Sequence, residues 1–205
     1  MISGAAYDPR LARLYEPHVL PLTRWAGLLR ATGWDVPDFD PDDGGIHASA
    51  LFLLESPGPR AVQSRFVSRD NPDPSARNMA AALNLTGFER RDTILWNVVP
   101  YCVSTRERNR NATVQQIRAA AHVTQEFVDM LANLKAVTFC GRRAQVMLPL
   151  LKFSAGVGVF STFHPGAQSF NRERCRSDIL ATFREVRASI QRPPSANLAL
   201  ATRGV

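Results

Sequence analysis

Short apolar runs of strand character alternate along this chain with longer segments in which apolar residues recur every three or four positions. The short runs predict four β-strands, at 50–56, 93–99, 136–140 and 157–163. The longer segments predict helices at 8–31, 75–85, 113–134, 142–151 and 172–190. The first helix is expected to break or kink near Pro17 and Pro21, because proline removes a helical hydrogen bond.

The order of these elements predicts the fold class. Helical crossovers between successive strands indicate parallel pairing, so we expect an α/β protein, a three-layer α/β/α sandwich with a central four-stranded parallel sheet. With 205 residues the chain suits one domain with a full core, at 1–190, followed by a disordered tail at 191–205. Asp73 or Ser75 is expected to cap the helix at 75–85, and Thr113 the helix at 113–134.

Three of the predicted strands end in a polar residue that is followed closely by proline. The three polar residues are Glu55, Asn97 and His164. Ligands of open α/β sheets bind beyond the carboxyl ends of the strands, so these ends would deliver a carboxylate, an amide and an imidazole to one pocket. Proline at each exit stops the strand, and glycine at two of the exits lets another backbone or a phosphate come close.

The composition indicates which binding partners and cofactors to expect. The formal net charge of +7 favours a polyanion, nucleic acid above all, although 23 of the 25 basic residues are arginine, a skew that genome base composition alone can produce. The three cysteines are odd in number and form no Cys-x-x-Cys pair, which argues against a disulfide framework and a metal site. No glycine-rich nucleotide loop follows any strand, so no cofactor is expected.

The chain also lacks the patterns of export and membrane insertion. Its N-terminus has no charged region followed by an apolar core, and no apolar run approaches the roughly 20 residues of a membrane helix. We therefore expect a cytoplasmic protein with no membrane partner, and nothing in the sequence indicates more than a monomer.

In their order along the chain, four motifs together resemble the uracil-DNA glycosylase superfamily. Glu55-Ser56-Pro57-Gly58-Pro59 is similar to its water-activating loop, and Arg65-Phe66-Val67 to the segment that carries its base-stacking aromatic residue. Asn97-Val98-Val99 resembles the strand end whose asparagine reads uracil, and His164-Pro165-Gly166 the His-Pro-Ser loop beside the minor groove. The resemblance covers about residues 51–172.

This resemblance implies a monofunctional DNA-repair enzyme that flips uracil out of single- or double-stranded DNA and hydrolyses its N-glycosidic bond. The products would be an abasic site and free uracil. Phe66 would stack on the base. Asn97 would read O4 and N3–H, which cytosine presents in the reverse order, and His164 would donate a hydrogen bond to O2 as negative charge collects there.

The water and the DNA would be held by the remaining motif residues. Glu55 and Ser56 would serve the attacking water, and Gly58 would leave room beside the C5 atom of the base. The resemblance also implies DNA contacts from Pro59, Arg60, Gln168, Ser169, Phe170 and Arg172. Further phosphate contacts are expected from Arg174 and Arg176 and, after the second predicted strand, from Arg106, Arg108 and Arg110.

The chain departs from the family pattern at several positions. Ser56 stands where the family has a catalytic aspartate or asparagine, and Glu55 precedes it as in the thermostable iron–sulfur classes, so either residue could position the water. The four ligand cysteines of those classes have no full counterpart here, and their cofactor is not carried over. No leucine stands at the wedge position, a role that Gln168 or Phe170 would have to take.

Two other functions fit the same pocket. The first is a protein of this fold that binds damaged or abasic DNA with little turnover, since a serine without an activating partner is a poor base. The second is an enzyme of another class that acts on a free nucleotide or another small anion in the same crevice.

Overall fold

The structure, a computed structural model, describes residues 8–104 and 110–191. In this part of the chain the strands are β1 (Asp38–Phe39), β2 (Ala50–Leu54), β3 (Phe66–Val67), β4 (Thr93–Asn97), β5 (Ala136–Cys140) and β6 (Gly158–Thr162). The α-helices are α1 (Leu20–Ala31), α2 (Pro59–Ser64), α3 (Pro74–Leu85), α4 (Val114–Ala119), α5 (Ala121–Asp129), α6 (Arg142–Gln145), α7 (Ala167–Phe170) and α8 (Glu173–Gln191). Short 3₁₀ helices lie at Pro9–Tyr15, Gly45–His47, Arg90–Asp92 and Leu148–Leu150.

The central sheet has four parallel strands in the order β4-β2-β5-β6. Leu54 lies opposite Asn97 in the register, and Cys140 lies opposite Thr162. The next sheet strand after β2 is β4, which lies on one side of it, whereas the next strand after β5 is β6, which lies on the opposite side. The strand order therefore reverses between β2 and β5. Their carboxyl ends therefore form the switch point at which open α/β sheets bind ligands.

Aromatic side chains pack helices against both faces of the sheet. On one face Trp96 of β4 stacks on Phe39 with ring centroids 3.7 Å apart, and it contacts Trp25 of α1 and Phe127 of α5. On the other face Phe52 of β2 packs against Phe183 of α8. The predicted three-layer α/β/α architecture and its four-stranded parallel sheet are thus confirmed.

Most predicted elements are present with altered bounds. β5 has the predicted bounds, and the other three sheet strands are shorter at their ends. The first helical segment breaks around Pro17, whereas Pro21 lies in the first turn of α1, where the missing N–H costs no helical bond. The predicted helix at 142–151 stops after Gln145, and Pro149 lies in a separate 3₁₀ turn.

The predicted helix at 113–134 is wrong in its extent. Helices α4 and α5 meet at Ala120, and α5 ends at Asp129. Beyond it, the N–H groups of Met130 and Leu131 donate to carbonyls only three residues back. This 3₁₀-type turn ends the helix. Asp73 and Thr113 are confirmed as caps of α3 and α4.

Helix α2 and the small parallel sheet of β1 and β3 lie where the sequence predicted only loop. Two-residue strands are too short to show an alternating pattern, so sequence periodicity does not reveal them. Gln191, expected in the tail, ends α8, and the rest of the tail, 192–205, lies outside the described residues. No helix in 8–104 or 110–191 is long and apolar enough to cross a membrane.

Candidate functional site

A cavity of about 560 Å³ opens at the carboxyl ends of the central strands. Its walls come from the exit of β2 and the start of α2, from the segment between β3 and α3, from the end of β4, and from the loop after β6. The sequence-predicted residues that line it are Glu55, Ser56, Gly58, Pro59, Arg60, Asn97, Arg110 and His164. The fold therefore brings the predicted carboxylate, amide and imidazole to one cavity.

Asn97 is the last residue of β4 and faces the cavity from the strand itself. Side chains alternate along a strand, so Leu95 and Asn97 line the cavity while Trp96 packs into the opposite layer. Asn97 is only 3% exposed, and its Nδ2 atom has no hydrogen-bond partner among the described residues. An unpaired buried polar group costs about 1–3 kcal/mol, so this amide is suited to donate to a bound ligand.

His164 lies two residues beyond β6 with its ring orientation held by the loop. The Gly166 N–H donates to Nδ1 of His164 at 2.9 Å, which leaves Nε2 to carry the proton of the neutral ring. Burial lowers the pKa of His164, and the nearby charge of Asp73 opposes this shift. The imidazole is therefore a neutral hydrogen-bond donor at the cavity wall near pH 7.

The loop that carries His164 is tied to helix α3. Nδ2 of Asn78 donates to the carbonyl of Pro165 at 2.8 Å. The same helix begins at the cap Asp73, whose carboxylate accepts from the N–H groups of Ser75 and Ala76. Asp73 and Ser75 also line the cavity, so the imidazole and the α3 cap form one continuous wall.

Glu55 follows β2 and is half-buried. Its Oε1 atom accepts a hydrogen bond from the Ala112 N–H at 2.5 Å. Burial raises the pKa of Glu55, while the Ala112 bond and the positive charge of Arg143 favour the ionised form. Ser56 lies beside it, also half-buried and also in the cavity wall. The site thus combines a carboxylate and a hydroxyl at the switch point of the sheet.

The structure does not bring Phe66 to the cavity wall. Phe66 is fully buried in β3, and the guanidinium of Arg10 covers its ring at 4.3 Å from the centroid. Val67 and Ser68, its neighbours in sequence, line the cavity instead. The family motif gave Phe66 a stacking role, and that role gains no support from this placement.

The predicted DNA-contacting residues after His164 also lie outside the cavity lining. Gln168, Ser169 and Phe170 belong to helix α7, and Arg172 is exposed just after it. Arg174 and Arg176 lie in the first turn of the next helix, α8. Arg110 does line the cavity, whereas Arg106 and Arg108 lie outside the described residues.

Several cavity residues were missed from the sequence. They are Ser68, Asn71, Asp73, Ser75, Met79, Ser104 and Asn111. Three of them, Ser68, Asn71 and Asp73, belong to the connection from β3 to α3, whose sequence has no strand or helix period and matches no family motif. The orphan Oδ1 atom of Asn71, buried without a partner in the described chain, is the clearest signal there, and only the coordinates reveal it.

One group of carboxylates lies apart from the cavity lining. Oxygens of Asp40, Asp42 and Asp70 come within 4.8 Å of one another. Arg10 and Arg90 already pair with Asp40, at 3.0 and 2.7 Å. Two guanidinium groups beside these oxygens make the group unfavourable for a metal cation, so it is better described as an ion-pair network.

No model of a known protein family matches this chain, and a comparison with curated proteins finds no match either. The evidence for its function therefore lies in the cavity and in the order of the motifs around it.

Proposed function

We propose that this protein is a monofunctional uracil-DNA glycosylase, a hydrolase that takes uracil out of the DNA stack and cleaves the bond between deoxyribose C1′ and uracil N1. One observation carries the proposal: Glu55, Asn97 and His164, from three distant motifs, line the same cavity. The resemblance of these motifs to the uracil-DNA glycosylase superfamily supplies the reaction.

The cavity suits a flipped base. Enzymes that act on a base must extrude it, because its reacting atoms are shielded in the duplex. The apolar side chains of Val67, Met79 and Leu95 give the ring a dry surface, and the proposal assigns no stacking to Phe66. The buried Nδ2 of Asn97 donates to O4 of uracil, a bond that is favoured because no described residue accepts from this atom.

His164 stabilises the leaving group. As the C1′–N1 bond breaks, its electron pair moves onto uracil and negative charge collects at O2. The Nε2–H group of a neutral His164 donates to O2, and a preplaced donor of this kind is typically worth about 2.7–4 kcal/mol in the transition state. The Nδ1 bond to Gly166 supports this role, because it leaves only Nε2 to carry the proton.

Glu55 serves the sugar side of the reaction. Its carboxylate lowers the energy of the positive charge that develops at C1′ and accepts a proton from the attacking water as the new C1′–O bond forms. The hydroxyl of Ser56 orients this water by hydrogen bonding. Uracil leaves with the electron pair of the broken bond, and an abasic site remains in the DNA.

The basic surface around the cavity supports DNA as the partner. Arg60 and Arg110 stand in the cavity lining and are exposed, and the chain carries a formal charge of +7. Pro59, at the start of α2, and Gln168, Ser169, Phe170 and Arg172, beside the His164 loop, are proposed to contact the DNA strand. A Cβ atom at Gly58 would meet no atom within 4 Å, which leaves space at this rim for the base or its backbone.

In the cell the proposal places this enzyme in base-excision repair in the cytoplasm, acting as a monomer. All three cysteines are free thiols, which agrees with a reducing compartment. A second candidate function is binding of damaged or abasic DNA with little turnover. The observation that favours it is Ser56, a hydroxyl with no described base beside it other than Glu55.

The test uses labelled oligonucleotides that contain one uracil or one thymine at the same position, as single and as double strands. The protein is incubated with each, and alkali then cleaves any abasic site. Breaks that depend on uracil support the glycosylase, and retention on a gel without breaks supports the binding protein. Neither breaks nor retention would contradict both functions. The exposed-residue variant Asn84→Ala serves as a control for the substitutions described below.

A further inference from the structure

Asn71 places a second amide in the cavity, outside every motif on which the proposed function rests. It lies in the connection between β3 and α3, lines the cavity and is 5% exposed. Its Oδ1 atom is buried and has no hydrogen-bond partner within the described residues. A buried acceptor without a partner is unfavourable in the free protein, so it is suited to a ligand that brings an N–H group.

The polarity of the Asn71 amide is determined by its surroundings. Its Nδ2 atom lies 2.9 Å from the carbonyl oxygen of Phe66. A carbonyl can only accept, so the nitrogen must face Phe66 and the oxygen must be the free atom. Turning the amide over would place two acceptors against each other.

The segment that carries Asn71 is held by ion pairs, one of them buried. Arg69 contacts Asp43 at 3.1 Å, and both side chains are almost completely buried. The guanidinium of Arg90 also lies 3.2 Å from the carboxylate of Asp43, and it pairs with the exposed Asp70 at 2.8 Å. Two neighbours of Asn71 in sequence are thus anchored, which keeps the Oδ1 acceptor in place when a ligand enters.

Asn97 differs from Asn71 in this respect. No described residue bonds Nδ2 of Asn97, so no hydrogen bond of that group prevents the amide from turning over. A half-turn exchanges its donor and its acceptor, and in that orientation it matches cytosine, which presents an N4 amino donor beside an N3 acceptor. Asn97 alone therefore gives little selection between uracil and cytosine.

We infer that Asn71 is the residue that selects bases with an N–H beside a carbonyl group, because its Oδ1 atom accepts the N3–H of the flipped uracil while Asn97 donates to O4. Cytosine would bring its N3 lone pair against this oxygen and leave both acceptors unsatisfied. This inference rests on the proposed function. It identifies the group that makes the proposed glycosylase prefer uracil to cytosine.

The test measures binding of free uracil, cytosine and N3-methyluracil by calorimetry or ligand-observed NMR. Wild-type protein is expected to bind uracil at least about tenfold more tightly than either other base, since the wrong base leaves buried polar groups unpaired. In Asn71→Ala the preference for uracil over cytosine should fall by about tenfold or more, whereas Asn84→Ala should keep the wild-type preference. Circular dichroism and thermal unfolding show whether Asn71→Ala is folded.

The comparison of uracil with N3-methyluracil on wild-type protein needs no variant, so it can overturn the inference even if Asn71→Ala does not fold. Equal binding of these two bases overturns the inference, as does a folded Asn71→Ala protein with the wild-type preference for uracil over cytosine. If either result occurs while uracil is still excised from DNA, only this inference fails. If no variant or wild-type protein binds uracil or excises it, the proposed function fails as well.

Discussion

Gly141, where β5 ends, leaves the space that the side chain of His164 occupies. A Cβ atom at position 141 would lie 2.8 Å from the Cβ atom of His164. The Gly141 N–H donates to the carbonyl of Thr162 at 2.8 Å, so the exits of β5 and β6 are closely joined. The position of the imidazole in the cavity therefore depends on the absence of a side chain on the neighbouring strand.

Alanine at Gly141 should displace His164 and slow uracil excision. Gly141 has φ of +95° and ψ of 155°, a conformation found almost only in glycine, so alanine there also strains the backbone by roughly 1–3 kcal/mol. Gly156→Ala is the matched control, because Gly156 has φ of +94° and open space around its Cβ position. Both variants should lose stability in thermal unfolding, Gly141→Ala more because its new Cβ atom meets His164, and only Gly141→Ala should lose excision rate, by about tenfold or more. Equal rates in the two variants would contradict the role of His164.

Asn97→Ala should separate activity from stability. The amide nitrogen has no partner in the described protein, so its removal should leave the thermal unfolding midpoint unchanged or higher. The rate of uracil excision should fall about 10- to 100-fold, because the bonds to the base are lost.

The control for Asn97→Ala is Thr138→Val. Oγ1 of Thr138 is likewise buried without a described partner, but Thr138 lies in the middle of β5 and does not line the cavity. This variant should keep the wild-type excision rate. A full rate in Asn97→Ala would remove Asn97 from the reaction.

The stability of the protein should depend on the protonation of His164. Burial lowers the pKa of His164 below its ordinary value of 6.5, so the unfolded chain binds this proton more readily than the folded protein. The contribution is fully present above about pH 6.5 and is lost as the pH falls from there to the lowered folded-state pKa. Denaturant unfolding at pH 7, 6 and 5 should show a smaller loss of free energy in His164→Gln than in wild type. Parallel losses would show that His164 is not buried as a neutral ring.

Glu55→Gln and Ser56→Ala decide which residue serves the water. Glutamine keeps an oxygen for the Ala112 N–H but removes the negative charge, so the fold should persist while excision falls by about 100-fold or more. Ser56→Ala removes one hydrogen bond to the water, with an expected loss of about tenfold. Single-turnover rates compare the two variants directly. A larger effect of Ser56→Ala would assign the water to the serine.

The strand ends of this fold could be predicted from the sequence, and the cavity wall opposite them could not. Glu55, Asn97 and His164 each follow an apolar run and precede a proline, and parallel strands place such ends at one edge. Asn71 gives no such local signal, because its position depends on ion pairs between distant residues, such as Arg69 with Asp43.

At Phe66 the sequence motif and the structure differ. Its motif suggested a place against the base, but tertiary packing buries its ring under Arg10. A local motif indicates which residue types stand near a site. It does not determine which of two adjacent side chains faces the cavity, and here Val67 faces it.

The proposed enzyme holds a flipped uracil in this cavity and releases it from DNA. The most direct measurement is mass spectrometry of free uracil after the protein, in excess, is incubated with uracil-containing DNA, with Asn97→Ala and His164→Ala in parallel. We predict release of one uracil per modified site by wild-type protein and strongly slowed release by both variants. No free uracil from folded wild-type protein, or equal release by all three proteins, would contradict the account.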